Sequence, residues 1–415
     1  MDCWTTLSEQ IAANPSETTV TDATFDELQG AIGEKGVEAA TLRLAEHLTS
    51  DHRFHELFDV RLLEARVRLG LPAILTKGLD DLEEPIRTRM EEEYLAACRE
   101  VGNLLLSDGK VREAWMYLRP VGERAEVAAA LQQVNVSDEN REQVIEVALH
   151  EGVSPRLGFE LVLAHYGVCN AISMFDAQMH GRPPQQRQEV AGLLVRHLHG
   201  ELVRSLRQAV ARQQGSPTDE SSIERLVAGR GWLFENNDYH IDTSHLASVV
   251  RFALFIDDPA DLRLALDLTE YGRRLSSLYQ FAGQEPFVDT YPSHARFFQA
   301  LLGENVQDNL DWFRQRAADL AGSESAGDGS APAEVYVALL HRLGRDAEAF
   351  EAAAEMLPPG SRTAGFAPSL LELARLSGRY GRLMEVTRQH GDLVGFTLAL
   401  VAERSREQGG NRNDQ

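Results

Sequence analysis

The sequence contains little cysteine and little lysine. Its three cysteines, Cys3, Cys98 and Cys169, lie far apart, and none belongs to a CxxC or CxxH pair. This spacing predicts neither a disulfide framework nor a structural zinc site. Lysine occurs only at Lys35, Lys77 and Lys110, and all the other lysine or arginine residues are arginine. Such a bias is typical of the codon usage of a GC-rich bacterial genome, so we expect a bacterial source.

Long apolar runs and a secretion signal are also missing. No stretch approaches the ~18 uncharged apolar residues that a membrane-spanning helix needs. The first residues, Met1-Asp2-Cys3-Trp4, lack the basic and apolar regions of a signal peptide. The sequence therefore predicts a cytoplasmic protein without membrane association.

Positive charge is scarce relative to negative charge. The formal net charge of the 415 residues is -23 at pH 7. A surface this acidic repels phosphate backbones and anionic lipid headgroups, which argues against a nucleic acid or a membrane as the partner. Because 43% of the residues are hydrophobic and 25% are charged, the composition is that of a folded protein. The length predicts two or three domains or one extended solenoid.

The motifs of several large enzyme classes are absent from the sequence. It contains no glycine-rich phosphate loop, no dinucleotide-binding fingerprint, no HExxH zinc motif and no GxSxG nucleophile elbow. Any catalytic chemistry would therefore have to come from a less regular arrangement of side chains.

Helical periodicity dominates what is present. Leu57, Val60, Leu63 and Val67, for example, form an apolar stripe at helical spacing. Alternating β-branched runs bounded by turn residues, which would predict strands, are nearly missing. The sequence therefore predicts an all-α fold.

One segment, residues 95–124, resembles a tetratricopeptide repeat. Gly102 matches the small residue at which the two helices approach closely, and Gly109 matches the turn between them. Ala114 and Leu118 match the small and large apolar positions of the second helix. Pro120 departs from the pattern, because proline inside a helix should kink or end it.

Two further segments, residues 333–359 and 366–390, resemble the same repeat. Gly344 and Ala349 occupy the turn and small positions of the first, and Gly378 occupies the turn of the second, where Leu383 replaces the small residue. The resemblance implies antiparallel helix pairs stacked as a solenoid, with a groove for a protein or peptide. In the repeat at 95–124, the residues that would face this groove are Arg99, Arg112, Trp115 and Tyr117, and Trp115 is equally a candidate for the core.

The pattern of repeats and breaks predicts a domain organisation. We expect N-terminal helical repeats over 1–135, a central helical region over 136–320, a linker over 321–332, C-terminal repeats over 333–405 and a disordered tail over 406–415. The central region contains two irregular loops, residues 231–245 and 283–294, in which polar and aromatic groups are concentrated.

The first loop carries a candidate metal site. His240, Asp242 and His245 offer two imidazoles and a carboxylate, a set that suits zinc, iron or manganese. Asp242 is equally a natural N-cap for the helix that follows. The binding residues predicted in this loop are Trp232, Asn236, Asn237 and Tyr239.

The second loop has a similar composition, with Asp289, Tyr291 and His294. Asp289 and His294 echo the aspartate and histidine of the first loop, Asp242 and His245. If the helices stack so that both loops share one edge, His294 would join the metal ligands, and Asp289 and Tyr291 would join the binding residues. A helix cap is again the alternative.

A cysteine–histidine pair, His165 and Cys169, lies four residues apart on one predicted helix face. Such a pair can activate a thiolate. Because Val162 and Ile172 flank it, we expect instead a buried cysteine and a hydrogen-bonded histidine.

Two functions follow from these patterns. The first is a helical-repeat scaffold that binds a protein or peptide partner. The alternative is a metal-dependent enzyme or small-molecule-binding protein, with a site formed by loops 232–245 and 283–294 and a divalent metal as its cofactor. The sequence leaves the oligomeric state open.

Overall fold

The computed structural model describes residues 22–74, 81–320, 331–357 and 365–410. Helices dominate this part of the chain, and its only β-type pairing is an isolated bridge between Ala282 and Asp289. The all-α prediction is confirmed, as is the packing of consecutive helices against one another.

The chain divides into two compact units, residues 1–161 and 162–415. The helices that begin in the first unit are α1 (Asp22–Lys35), α2 (Val37–Ser50), α3 (Phe54–Arg68), α4 (Ile86–Ser107), α5 (Val111–Val121), α6 (Arg124–Leu131), α7 (Arg141–Ile145) and α8 (Pro155–Gln178).

The second unit continues with longer helices and three single 3₁₀ segments. Its helices are α9 (Pro184–Gln214), α10 (Ile223–Val227), α11 (Thr243–Phe252), α12 (Pro259–Gly272), α13 (Thr290–Leu301), α14 (Val306–Leu320), α15 (Ala331–Arg342), α16 (Asp346–Met356), α17 (Leu370–Ser377), α18 (Tyr380–Gln389) and α19 (Leu393–Gly410). The 3₁₀ segments are Gly231–Asn237, Ala253–Phe255 and Ser277–Tyr279.

The predicted linker and tail lie mostly outside the described residues. Of the linker 321–332, only Ala331 and Pro332 are described, and they begin α15. Of the tail 406–415, residues 406–410 continue α19. The other predicted domain boundaries stay predictions.

Five turns between consecutive helices share one hydrogen-bonding pattern. In each, a residue with positive φ ends the helix, and the next backbone N–H donates to the carbonyl five residues before it at 2.9 Å. This 6→1 bond satisfies a carbonyl that the helix end would leave unpaired. The residues with positive φ are His52, Gly109, Gly344, Gly378 and Gly391. The predicted turn glycines 109, 344 and 378 therefore occupy turns, and two further turns belong to the series.

The close approach predicted at Gly102 is present between α4 and α5. A Cβ atom on Gly102 would lie 2.5 Å from Cγ of Leu118, so only glycine allows this contact. Ala114 is fully buried beside it. Pro120 lies in the last turn of α5, which ends at Val121 before Gly122 takes φ 80°. Pro120 was predicted to kink or end this helix, and the helix ends one residue after it.

The core of the first unit joins α2 to α7. Trp115 and Tyr117, two of the predicted groove residues, are buried in this core. The other two form ion pairs at the surface, Arg99 with Glu123 at 2.6 Å and Arg112 with Glu146. The structure therefore makes Trp115 and Tyr117 packing residues, in which role an aromatic side chain buries a large apolar area.

Helix α8 is apolar enough by length and composition to cross a membrane, although a third (33%) of its most apolar window is buried in the protein. Its backbone leaves the helical region at Gly167, with φ 81° and ψ 173°. His165 and Cys169, on either side of this break, are both exposed. The expectation that Cys169 is buried was wrong, because the break removes the continuous apolar face on which it rested.

Candidate functional site

The first irregular loop is held by a histidine–tyrosine contact. The backbone N–H of His240 donates to Oη of Tyr271 at 2.7 Å, and its ring Nδ1 lies 3.2 Å from the same oxygen. Burial lowers the pKa of His240 below its usual value. Of the other predicted binding residues, Trp232 is half-buried, Asn236 and Asn237 are exposed with positive φ, and Tyr239 packs against Tyr279.

Asp242 is the N-cap of α11. Its Oδ1 accepts hydrogen bonds from the backbone N–H of Ser244 at 2.9 Å and of His245 at 3.2 Å, and from the Ser244 hydroxyl at 2.6 Å. The Ser244 hydroxyl bond is the main reason that the pKa of Asp242 is lowered. The carboxylate thus satisfies helix donors, as the capping alternative predicts.

This assignment predicts the effect of two substitutions. Asp242→Ala should reduce the stability of α11 by about 1 kcal/mol, whereas Asp242→Asn should retain most of it, because asparagine caps as well as aspartate. Native-state hydrogen exchange of the α11 amides measures the difference. Equal losses in the two variants would show that the negative charge, and not the cap, is what Asp242 provides.

The second irregular loop folds back on itself. The Gly283 N–H donates to the Val288 carbonyl at 3.0 Å, and the Thr290 hydroxyl donates to the Phe281 carbonyl at 2.6 Å. A Cβ atom on Gly283 would lie 2.2 Å from the Phe287 carbonyl oxygen, so the loop requires glycine there. These bonds hold the loop at the start of α13.

Asp289 and Tyr291 have different surroundings. Asp289 is exposed and stands before α13 without a side-chain cap bond. Tyr291 is buried, and its ring fills the space that a side chain at Gly272 would need. Burial raises the pKa of both Tyr291 and the nearby Tyr271 above the usual range. The Tyr271 hydroxyl therefore stays protonated beside His240.

His294 is the most deeply buried of the predicted ligands, at 2% exposure. Its Nδ1 lies 2.6 Å from the Thr290 carbonyl, and the Phe287 ring stacks on it with 4.2 Å between centroids. Its Nε2 is buried without a hydrogen-bond partner. Burial lowers the pKa of His294 to about 4, so the ring is neutral at neutral pH.

The structure does not bring the predicted metal ligands together at one site. Among the described residues, no group of three or more histidine, cysteine, aspartate or glutamate side chains could hold a metal ion. His240 faces Tyr271, Asp242 caps α11, and His294 lies in the apolar interior beside Phe287. His245 is half-buried on α11. Tyr271 of α12 contacts His240 of the first loop, and Tyr291 of α13 packs against the neighbouring Gly272.

A cavity of about 540 Å³ lies where the second loop meets α11 and α15. Its walls are mainly apolar. Its polar lining comes from Ser244, Ser248, Arg251, Gln284, Glu285, Thr290 and His294. A volume of this size, with apolar walls and few polar groups, is typical of ligand sites.

A second cavity, of about 330 Å³, adjoins the first and shares Leu254, Val335 and Phe366 with it. We name the two together the groove. Phe366 stacks on Phe255 with 7° between the ring planes, and the Arg187 guanidinium lies 4.8 Å from the Phe255 centroid. No ion pair of Arg187 is found among the described residues. The groove is therefore longer than one side-chain cavity and has a largely aromatic floor.

Another cavity, of about 570 Å³, contains a histidine–aspartate pair. His199 Nε2 lies 2.9 Å from Asp267 Oδ2. Asp267 also accepts from the backbone N–H groups of Ile223 and Glu224 at 2.7 and 2.8 Å. Because the aspartate is occupied with the start of α10, this pair holds helices together and leaves no free acceptor for a ligand.

Sequence reasoning missed Arg251, Phe366 and the groove itself. The residues that line the groove come from distant parts of the chain, and none forms a motif. The amphipathic α11 was visible, but not which of its polar residues face a cavity. Comparison of the chain with protein-family models, curated proteins and solved structures finds no match in any of the three.

Proposed function

We propose that the protein is a tetratricopeptide-like helical-repeat scaffold that binds a peptide segment of a partner protein in the groove. The observation that supports it is that two neighbouring cavities share Leu254, Val335 and Phe366 in their walls and so form one extended groove. An extended peptide places alternate side chains along such a surface. The recurring glycine turns and the close contact at Gly102 support the repeat assignment.

The net charge and the backbone of α8 support a proposal for the kind of partner and the location of the protein. A net charge of -23 disfavours nucleic acids and anionic membranes as partners. The break at Gly167 argues against α8 as a continuous membrane span. We propose a bacterial cytoplasmic protein whose partner is another protein.

Phe366 provides the test of the proposal, because it lines both cavities and is 38% exposed. Peptides selected from a displayed random library on the wild type should bind Phe366→Ala at least tenfold more weakly, since burying a phenylalanine contributes about 2 kcal/mol. The matched control is Leu371→Ala, which removes an apolar side chain of similar exposure, 41%, outside the groove. Fluorescence anisotropy of labelled peptides measures both affinities.

Two results would contradict the proposal. One is the failure of the library to yield any peptide that binds the wild type. The other is binding that is weakened equally by Phe366→Ala and Leu371→Ala, which would place the peptide elsewhere.

The second candidate function is the binding of a small molecule in the same place. It is favoured by the volume of the larger cavity and by the unpartnered Nε2 of His294 in its wall. The metal-dependent version of this candidate finds no support in the grouping of the described side chains.

A further inference from the structure

His294 gives the larger cavity a defined hydrogen-bonding character. A carbonyl only accepts, so the 2.6 Å contact with the Thr290 oxygen places the ring proton on Nδ1. In the neutral ring Nε2 is then an acceptor, and it is buried without a donor. Buried acceptors are nearly always paired, by protein, water or ligand.

The protein groups nearest to this acceptor do not satisfy it. The Arg251 guanidinium lines the cavity, but its Nη2 is held by both oxygens of Asp176, at 3.0 and 2.9 Å. The Thr290 hydroxyl donates to the Phe281 carbonyl. No protein group donates to Nε2, so this acceptor is available to a donor on a molecule, water or ligand, that enters the cavity.

The remaining walls restrict what that molecule can be. Phe281, Phe287 and Phe366 surround the cavity with aromatic rings. A second acceptor, Oε2 of Glu285, is also buried without a hydrogen-bond partner on the same cavity. A ligand that fits has an aromatic or otherwise flat apolar body and carries O–H or N–H donors.

Resting on the proposed peptide-binding function, we propose that the cavity binds a tyrosine or tryptophan side chain of the partner, whose O–H or indole N–H donates to His294 Nε2. Phenylalanine or leucine would pack against the apolar walls but leave the acceptor unpaired. Serine and threonine carry a donor but have little apolar surface to pack against the three phenylalanine rings. Lysine or arginine would bring a cation towards Arg251. A backbone N–H of the peptide is the natural donor to Glu285.

The test compares ligands that differ by one donor. Toluene and 4-methylphenol reproduce the side chains of phenylalanine and tyrosine, and 3-methylindole reproduces that of tryptophan. We expect 4-methylphenol and 3-methylindole to bind the wild type roughly tenfold more tightly than toluene, because each pairs a buried acceptor that toluene leaves unpaired. Ligand-detected NMR titration of the full chain measures all three affinities.

Variants locate the preference at His294. His294→Phe and His294→Leu should both lose this preference and bind 4-methylphenol no more tightly than toluene, because the phenol hydroxyl then enters the cavity without an acceptor. The control is His55→Phe, which alters a histidine outside the groove whose ring nitrogens are already paired, Nδ1 with the Tyr117 hydroxyl at 2.9 Å and Nε2 with Glu113 at 2.7 Å. This variant should keep the tenfold preference. Equal binding of toluene and 4-methylphenol by the wild type would overturn the proposal without any variant, and would mean that water pairs Nε2.

The source of the aromatic group is tested with N-acetyl-tyrosinamide, which has peptide bonds on both sides of the side chain. If the cavity binds a tyrosine within a peptide, N-acetyl-tyrosinamide should bind at least as tightly as 4-methylphenol. If N-acetyl-tyrosinamide does not bind while 4-methylphenol does, the aromatic group does not come from a peptide, and the ligand is a free phenol or indole. If selected peptides bind and respond to Phe366→Ala while the phenol preference is absent, the anchor proposal fails and the peptide-binding function stands.

Discussion

Replacing Arg342 with alanine should lower the free energy of unfolding of the second unit by about 3 kcal/mol, since removing one partner of a buried charged network leaves the others unpaired. Arg342 lies at the end of α15, with its side chain 16% exposed. Its guanidinium donates to the carbonyls of Leu254, at 2.6 Å, and of Ile256, and it forms a 2.7 Å ion pair with Asp257. These contacts fasten α15 to the segment that follows α11.

The Arg342 substitution should also weaken peptide binding, because Leu254 and Val335 form opposite parts of the same groove. Hydrogen exchange of the α11 and α15 amides measures the loss of stability. Arg375→Ala is the control: Arg375 forms only a surface ion pair with Glu372 at 3.6 Å, and such pairs contribute less than about 1 kcal/mol. Similar losses in both variants would mean that the Arg342 network contributes no more than a surface pair.

The helix pairs could be predicted because their signals are local. A turn glycine takes positive φ at low cost, so Gly109, Gly344 and Gly378 identify helix ends directly. His52 takes the same backbone conformation, which the sequence does not indicate because non-glycine residues seldom adopt it. Its ring lies 2.9 Å from Asp108 in the next turn. The positive φ of His52 is thus accompanied by a contact with Asp108, which the sequence alone does not indicate.

The candidate site was harder to predict because its chemistry depends on tertiary burial. Asp242 could be read as a cap or as a ligand, and only the bonds to Ser244 and His245 show that it caps α11. For His294, the sequence shows only that a histidine lies near the start of a helix. Which ring nitrogen is free follows from the Thr290 contact. Phe366 lines the same cavity although it lies more than 70 residues along the chain from His294, and no spacing in the sequence indicates that the two are close.

The second large effect expected is a loss of stability on acidification. His294 has a pKa of about 4 in the folded protein and 6.5 in the absence of burial. Burial is the main cause of the difference, the charge of Arg251 adds to it, and the bond to the Thr290 carbonyl opposes it. Between these two pKa values the unfolded chain binds a proton that the folded chain does not. Lowering the pH through this window therefore favours unfolding.

The magnitude follows from the two pKa values. Above pH 6.5 the histidine is neutral in both states and contributes no pH dependence, and below about pH 4 it is protonated in both. Between pH 7 and pH 5 the second unit should lose about 2 kcal/mol through His294 alone. His294→Leu should remove this part of the pH dependence. The pKa of His240 is lowered in the same direction. Its contribution to the pH dependence is the same in the wild type and in His294→Leu, so it cancels when the two proteins are compared.

Hydrogen exchange of the α13 amides at pH 5, 6 and 7, in the wild type and in His294→Leu, gives the required free energies. Phe298→Leu is the matched control, because Phe298 is fully buried 6.0 Å from the imidazole and does not titrate. It should lower the stability at every pH while keeping the wild-type slope. A slope that is the same in His294→Leu as in the wild type would mean that the imidazole accepts a proton in the folded state. Nε2 would then be a donor at pH 5, and the preference for a phenol or indole would have to come from another group on the cavity.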